Sequence, residues 1–277
     1  MISINEDKID KFYNIIEAKL KATLKSKPDS SKKIESYLKD KVKSYGNNNP
    51  LIHENFKSFI KPHKQYNKLT HKEKFALALK CLRSEYFDLK LTASNILGHI
   101  YKGVTEEEFD ELNHTIKEEE LINEWATSDC LVSKFYKFYG MMSKENTFAI
   151  AELRKSDFLW LRRISLVSFV NRVKKGDEKP NFKGFIDLMF TICDANKQYI
   201  ERFNQLALGW LLREIAVVDY DRYEKWMKKN SILMTREAIR YTVEKITPKR
   251  KNYILSLKNN KDMENEEKHT KSKKKKE

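Results

Sequence analysis

The sequence is poor in the residues that break helices or build sites of recognisable spacing. Its 277 residues include seven glycines, five prolines and three cysteines. The glycines form neither G-x-G-x-x-G nor G-x-x-x-x-G-K-[ST], so the two common phosphate-binding loops are absent and no nucleotide cofactor is expected. No run of about eighteen apolar residues occurs, which excludes a membrane-spanning helix.

Cysteine and histidine are too scattered to indicate a disulfide or metal framework. Cys81, Cys130 and Cys193 are odd in number and far apart, which argues against disulfides and against a zinc site of paired cysteines. No two histidines lie four residues apart with a glutamate between them, so no metal is expected. The N-terminal segment carries acids instead of the basic start and apolar centre of a signal peptide. We therefore expect an intracellular protein, nuclear in a eukaryotic host and otherwise cytoplasmic at the nucleoid.

Positive charge, by contrast, is abundant. The sequence has 55 lysines and arginines against 40 acids, a net charge of +15, and its pI is near 9.4. This excess is larger than solubility requires and predicts an anionic partner, with nucleic acid favoured over a membrane surface. Hydrophobic residues make up 40% of the chain, which is enough to fill a core.

Apolar residues recur at i, i+3 and i+4 along most of the chain, and this spacing predicts an all-α protein. The predicted helices cover residues 8–26, 32–44, 51–60, 70–83, 86–99, 106–116, 118–125, 129–139, 144–155, 157–174, 182–193, 197–216, 219–229 and 235–246. Many helices of this length joined by short polar links favour an α-solenoid of stacked antiparallel pairs over a four-helix bundle. We expect one helical domain over residues 1–257 and a disordered, lysine-rich tail over residues 258–277.

Two segments place a tryptophan one helical turn from a charged residue. In "NEWATSDCLV", Trp125 and Asp129 are four residues apart, so a helix through both puts them on one face. In "DFLWLRRISLVSFV", Trp160 and Arg163 are three apart. An indole, a carboxylate and a guanidinium would meet in one groove if these helices are neighbours in the stack.

A third segment, "LALGWLLREIA", carries more polar groups than packing needs. Its leucines and isoleucine already supply an apolar face, so the Arg213-Glu214 pair is surplus to the core. Trp210 and Arg213 are three apart and are expected to face the groove. Glu214 is adjacent to Arg213, therefore on another face, and is expected to brace neighbouring helices.

Together, in this order and spacing, these segments resemble the DNA alkylation repair family of HEAT-like-repeat DNA glycosylases. The matching pieces are the Trp-x-x-x-Asp of residues 125–129, the Trp-Leu-x-Arg of residues 160–163, the Gly-Trp-x-Leu-Arg-Glu of residues 209–214 and the "TREAIR" of residues 235–240. The resemblance implies a helical-repeat enzyme that binds alkylated duplex DNA. Such an enzyme hydrolyses the N-glycosidic bond of purines made cationic by alkylation at N3 or N7, without a cofactor.

The resemblance also implies roles for individual residues. Asp129 would stabilise the oxocarbenium-like sugar and position the attacking water. Trp125 and Trp210 would pack against the sugar of the lesion, where indole faces favour developing positive charge. Arg163 and Arg213 would bind DNA phosphates.

Several alternatives are open at the residue level. Ala126 stands where the family often has a second acid, and a shifted register would put Ser133 at the catalytic position, giving a protein that binds DNA without cutting it. Asp129 could instead cap a helix that begins after it. Tyr45 is the only candidate for an aromatic that some family members use near the N-terminus.

Two functions of other classes stand beside the glycosylase. One is a non-catalytic, DNA-binding relative that recognises unusual DNA structure. The other is a helical-repeat scaffold for an acidic protein partner, because solenoids often bind proteins along one face. In the glycosylase reading we expect a monomer.

Overall fold

The computed structural model describes residues 5–26, 29–38, 42–60 and 64–259, and the regular structure in these ranges is helical. Extended backbone pairs there only in an isolated bridge between Lys43 and Tyr86. The predicted all-α class is therefore confirmed. Most of the predicted tail, residues 260–277, lies outside the described residues. The chain forms two compact units, Met1–Met142 (unit 1) and Ser143–Glu277 (unit 2).

Unit 1 is built around α6, which is buried along almost its whole length. Helix α5 packs against α6 after a link of four residues, so the two form an antiparallel pair, and α3 and α8 also contact α6. The helices of unit 1 are α1 Glu6–Ser26, α2 Asp29–Leu38, α3 Asn49–Ile60, α4 Lys64–Asn67, α5 His71–Leu82, α6 Phe87–Ile100, α7 Glu106–Glu118, α8 Trp125–Leu131 and α9 Lys137–Gly140.

Local capping explains where several of these helices begin. Thr70 and Thr105 each accept a hydrogen bond from the backbone N–H three residues later, and Glu73 and Glu108 reach back to the backbone of the capping threonine. Such capping boxes satisfy backbone donors that a helix leaves free at its first turn. They therefore determine the residue at which α5 and α7 each begin.

The backbone from Val42 to Asn48 is not helical, although a helix over 32–44 is predicted. Here α2 ends at Leu38, and residues 39–41 lie outside the described ranges. The buried carboxylate of Asp88 on α6 accepts hydrogen bonds from the hydroxyl of Ser44 and the backbone N–H groups of Tyr45 and Asn47. These bonds hold the segment that follows α2 against α6 in a non-helical path.

A helix over 118–125 is also predicted, and that prediction is wrong. α7 ends at Glu118, and Glu120 adopts a positive φ of 48°. The chain then enters α8. A π-helical segment, Val132–Tyr136, joins α8 to α9. Gly98 of α6 permits this path, because a Cβ at that position would lie 2.7 Å from the carbonyl oxygen of Lys134 in the π-helical segment.

Unit 2 is built around α13, which packs against α11, α12, α14 and α15. Gly209 explains why a glycine lies inside this core helix: a Cβ there would lie 2.7 Å from the backbone oxygen of Ala238, so only glycine lets α13 approach α15 this closely. The helices of unit 2 are α10 Lys144–Glu152, α11 Leu159–Val167, α12 Phe185–Asn196, α13 Arg202–Val218, α14 Tyr220–Asn230, α15 Arg236–Thr242 and α16 Pro248–Leu255.

The helix predicted over 157–174 ends earlier than its apolar periodicity indicates. α11 stops at Val167, and the backbone continues through turns and a short 3₁₀ segment, Val173–Lys175, to Gly176 with a φ of 53°. The side chain of Asn181 donates to the carbonyl oxygens of Arg172 and Gly176 and holds this turn. Side chain-to-backbone bonds of this kind compete with helix continuation and are invisible in apolar spacing.

Candidate functional site

A cavity of about 300 Å³ in unit 1 contains the acidic segment singled out from the sequence. Its walls come from α2, the start of α3, α6 and α8. The lining residues are Ile34, Tyr37, Leu38, Asn48, Asn49, Phe87, Leu91, Trp125, Ala126, Asp129, Cys130 and Ser133. An apolar hollow with a few polar groups on its wall is typical of a ligand site.

Trp125 and Asp129 share one face of α8, as their spacing predicts, and both line the cavity half-buried. Trp125 makes an edge contact with Tyr37 of α2, with ring centroids 5.7 Å apart. Ser133, the residue of the alternative register, lies one turn beyond Asp129 and lines the same cavity. The site therefore offers three aromatic rings, those of Tyr37, Phe87 and Trp125, together with a carboxylate and a hydroxyl.

The alternative in which Asp129 caps a helix is wrong, because α8 begins at Trp125 and Asp129 lies within it. The cap is Glu124, whose side chain accepts hydrogen bonds from the backbone N–H groups of Ala126 and Thr127. Glutamate is not among the preferred capping residues, so the sequence gives no direct sign of this start. The hydroxyls of Thr127 and Ser128 are buried inside unit 1.

Glu124 is wholly buried beneath the site, and Lys90 of α6 is its nearby cation. The Lys90 ammonium donates to the carbonyl oxygen of Leu121 over 2.6 Å. Burial raises the pKa of Glu124 above its ordinary value, although the two capped amides and Lys90 oppose the rise. The N-terminus of α8, the helix that carries Trp125 and Asp129, is thus capped by a buried carboxyl group.

The raised pKa of Glu124 predicts a pH-dependent stability. Because the folded state holds the Glu124 proton more tightly than the unfolded chain, the unfolding free energy falls as pH rises from about 4.5 through the raised value. Glu124→Gln cannot titrate, so the stability of the native protein relative to this variant is expected to fall across that range. Chemical denaturation of both proteins at a series of pH values measures the difference.

Glu119 provides the control, since its pKa is lowered by hydrogen bonds from Arg83. The stability of the native protein relative to Glu119→Gln is expected to have the opposite slope, falling as pH drops below the ordinary glutamate value. A flat difference for Glu124→Gln would contradict the account of a buried, titrating cap.

The amide and thiol groups of the cavity wall are already ordered. Asn48 caps α3 by accepting from the backbone N–H of Leu51, and the Cys130 thiol lies 3.8 Å from the side-chain oxygen of Asn49. Burial raises the pKa of Cys130 to about 11, so it stays a thiol near neutral pH. These groups contribute shape and polarity and do not supply a nucleophile.

Tyr37 is an aromatic residue of the N-terminal region that lines the cavity, and it was not predicted from the sequence. Tyr45, the candidate offered there, is 2% exposed, donates its hydroxyl proton to Glu17 and stacks on Tyr86. Tyr37 is 68% exposed on α2, beside the buried Leu38. The sequence of α2 gives no sign of this position, because Tyr37 reaches the cavity only through the packing of α2 near α8.

Unit 2 holds the other residues singled out from the sequence. Arg163 on α11 is 5% exposed and donates to the carbonyl oxygen of Phe203 over 2.8 Å. Trp160, one turn earlier, packs against the ring of Phe203 with centroids 5.6 Å apart. Both side chains thus hold α11 against the start of α13.

Trp210 and Arg213 lie on one face of α13, as predicted, and the Arg213 guanidinium lies 6.0 Å from the Trp210 ring and 4.7 Å from that of Tyr241. Arg213 also forms ion pairs with Glu244 and Glu214. The buried Glu214 accepts a further bond from Lys245 over 2.6 Å. Glu214 thus joins α13 to the segment that follows α15, the bracing arrangement expected of it.

The chain is similar in sequence to a known family and in fold to a solved structure. A sequence profile described as DNA alkylation repair enzyme matches residues 16–246. The fold is similar to that of a solved structure described as a predicted DNA alkylation repair enzyme from Enterococcus faecalis, with a TM-score of 0.65 and 18% identity, covering 80% of this chain and 97% of that chain. This likeness agrees with the predicted α-solenoid class of stacked helix pairs. No match is found among curated proteins.

Within the part of the chain that the structure describes, no helix is both long and apolar enough to cross a membrane. The family profile covers most of the sequence, from α1 into the residues after α15. The family that this profile describes repairs alkylated DNA, which implies that DNA is the substrate. The protein therefore belongs to the DNA alkylation repair enzyme family.

Proposed function

We propose that the protein is a DNA glycosylase that excises cationic N3- or N7-alkylated purines from duplex DNA. The observation that carries the proposal is the cavity of unit 1, in which the Asp129 carboxylate and the Trp125 ring lie side by side on one face of α8. The cavity wall is otherwise mostly apolar, with amide, hydroxyl and thiol groups on it, and Asp129 is the one acidic side chain among the described residues that line it.

The chemistry suits a single carboxylate. A purine alkylated at N3 or N7 already carries positive charge, so it can leave without being protonated by an acid. The C1′–N bond breaks, its electron pair neutralises the ring, and the sugar becomes an oxocarbenium-like cation. A carboxylate beside C1′ stabilises that cation more strongly than it stabilises the ground state, which is the requirement for catalysis.

Water completes the reaction at the same carbon. Asp129 orients a water molecule toward C1′, the water oxygen bonds to C1′, and its proton passes through the carboxylate to solvent. The products are the free alkylated purine and an abasic site in an intact strand. Trp125 would present its ring to the sugar, where a cation is favoured over an indole face, and Tyr37 supports that ring from α2.

The roles expected for Trp210, Arg163 and Arg213 stay predictions. Any phosphate bound by Arg213 would compete with Glu244 for the guanidinium. Any phosphate bound by Arg163 would share it with the carbonyl oxygen of Phe203. The bond to Phe203 would orient the Arg163 guanidinium before DNA arrives, which lowers the entropy lost on binding, whereas Arg213 would have to exchange Glu244 for the phosphate.

The experiment is single-turnover release of methylated purines from alkylated duplex DNA by the native protein and by Ser133→Ala, with unalkylated duplex as the blank. Release by both proteins supports the glycosylase with Asp129 at the catalytic position. Loss of release in Ser133→Ala alone would show that the reaction needs the Ser133 hydroxyl and would contradict a mechanism that rests on Asp129 by itself. Tight, salt-dependent binding without release would indicate a non-catalytic DNA-binding relative, and neither binding nor release would favour a scaffold for an acidic protein.

A further inference from the structure

A lysine-rich loop in unit 2 is not used by the proposed reaction. The lysine loop, residues 173–184, joins the turns after α11 to the start of α12. It displays four exposed lysines within ten residues: Lys174, Lys175, Lys179 and Lys183. Its acids are Asp177 and Glu178, so the loop carries an excess of positive charge.

The loop is held by buried polar contacts. Asn181, 7% exposed, donates to the carbonyl oxygens of Arg172 and Gly176, and its own side-chain oxygen accepts from the Arg172 guanidinium over 3.1 Å. Arg172 is itself 5% exposed and also bonds to Thr147 of α10. The backbone that carries the lysines is therefore fixed to the core of unit 2.

One of the two acids serves the backbone and leaves the lysines unneutralised. The Asp177 carboxylate accepts hydrogen bonds from the backbone N–H groups of Gly184 and Ile186, at 2.8 and 3.0 Å. These bonds lower the pKa of Asp177, so it remains ionised while it closes the loop onto the start of α12.

The four lysines of the loop have no acidic partner in the part of the chain that the structure describes. Among the described residues, none of the four has a carboxylate within ion-pair distance. On neighbouring helices, by contrast, Arg222 pairs with Asp187, Lys228 with Glu224 and Arg202 with Glu237. The lysine loop thus places four exposed cations, without an acidic partner among the described side chains, within ten residues on one ordered segment.

We propose that the lysine loop is a contact surface for the phosphate backbone of duplex DNA. The proposal rests on the proposed function only in taking DNA as the partner. Closely spaced ammonium groups on a fixed backbone suit the dense, regular charge of a duplex, and each phosphate that a lysine neutralises releases condensed counterions. Because the loop is already ordered by Asn181 and Asp177, binding orders the lysine side chains alone.

The test is the salt dependence of binding to an unalkylated duplex, measured by fluorescence anisotropy. The test variant is K174Q/K175Q/K179Q/K183Q. The control is K21Q/K43Q/K155Q/K228Q, which removes the same charge from exposed lysines that each pair with a glutamate. Each neutralised phosphate contributes about 0.9 to the slope of log K against log salt, so the slope of the test variant is expected to fall by about 2 to 4.

The control is expected to keep the native slope, because its lysines are occupied by carboxylates. Equal slopes for the native protein and the test variant would overturn the proposal, and so would an equal fall in both variants. If the test variant keeps its DNA slope but loses binding to anionic phospholipid vesicles, the loop belongs to a membrane contact and the proposal fails. No alkylated base is present, so the outcome is independent of excision, whereas complete absence of DNA binding would remove both proposals.

Discussion

Asp129→Asn is expected to lower the single-turnover rate of base release by about 10²- to 10³-fold, the usual cost of removing a group that stabilises transition-state charge. Asparagine keeps the size of the side chain on α8 and removes its negative charge. The sugar cation then lacks its counter-charge, and the water lacks a proton acceptor. The measurement uses excess protein over alkylated duplex, so binding is saturated for both proteins.

The control for this prediction is Asp187→Asn, which removes an equal charge from an exposed acid paired with Arg222 in unit 2. It is expected to release base at the native rate. Unalkylated duplex should bind to Asp129→Asn at least as tightly as to the native protein, because a negative charge has gone. Undiminished release by Asp129→Asn would remove Asp129 from the catalytic position.

Asp88→Asn is expected to destabilise unit 1 by about 3–5 kcal/mol, as in other cases where one partner of a buried charged network is removed. The Asp88 carboxylate is wholly buried and accepts four hydrogen bonds, one each from Ser44 and Tyr45 and two from Asn47. The asparagine amide replaces one oxygen by an NH₂ group, which places a donor against donors. Urea unfolding followed by circular dichroism measures the loss.

The matched variant is again Asp187→Asn, whose exposed ion pair is expected to contribute about 1 kcal/mol or less. The Asp88 contacts hold the segment that leads into Asn48 and Asn49 on the cavity wall, so the variant is expected to loosen that wall as well. An Asp88→Asn midpoint equal to that of Asp187→Asn would contradict this account of the segment.

Apolar periodicity was sufficient to predict the fold class and most helices, because burial of one helix face imposes that spacing directly. It failed where single polar side chains set the backbone. The start of α8 depends on Glu124, and the end of α11 is followed by the turn that Asn181 holds. Such hydrogen bonds join residues at no regular spacing, so the apolar pattern of the sequence does not indicate them.

In the candidate site, too, the features that follow from helix spacing were predicted, and those that depend on packing between helices were not. The four-residue spacing of Trp125 and Asp129 predicted a shared face, since that spacing is a property of the helix itself. Tyr37 could not be assigned to the same cavity, because its neighbour Trp125 is distant in the sequence and the contact exists only after α2 and α8 pack. Likewise, no spacing rule could indicate that Arg163 donates to the backbone of Phe203.

The most direct test of the central claim is the chemical identity of the product from a duplex that carries one N7-methylguanine. The native protein is mixed with this DNA, and both the small-molecule fraction and the strand are analysed by mass spectrometry. The account predicts free 7-methylguanine and an abasic site in an unbroken strand, formed much more slowly by Asp129→Asn. An unchanged strand, or one in which the methyl group is removed and guanine is retained, would contradict hydrolysis of the glycosidic bond.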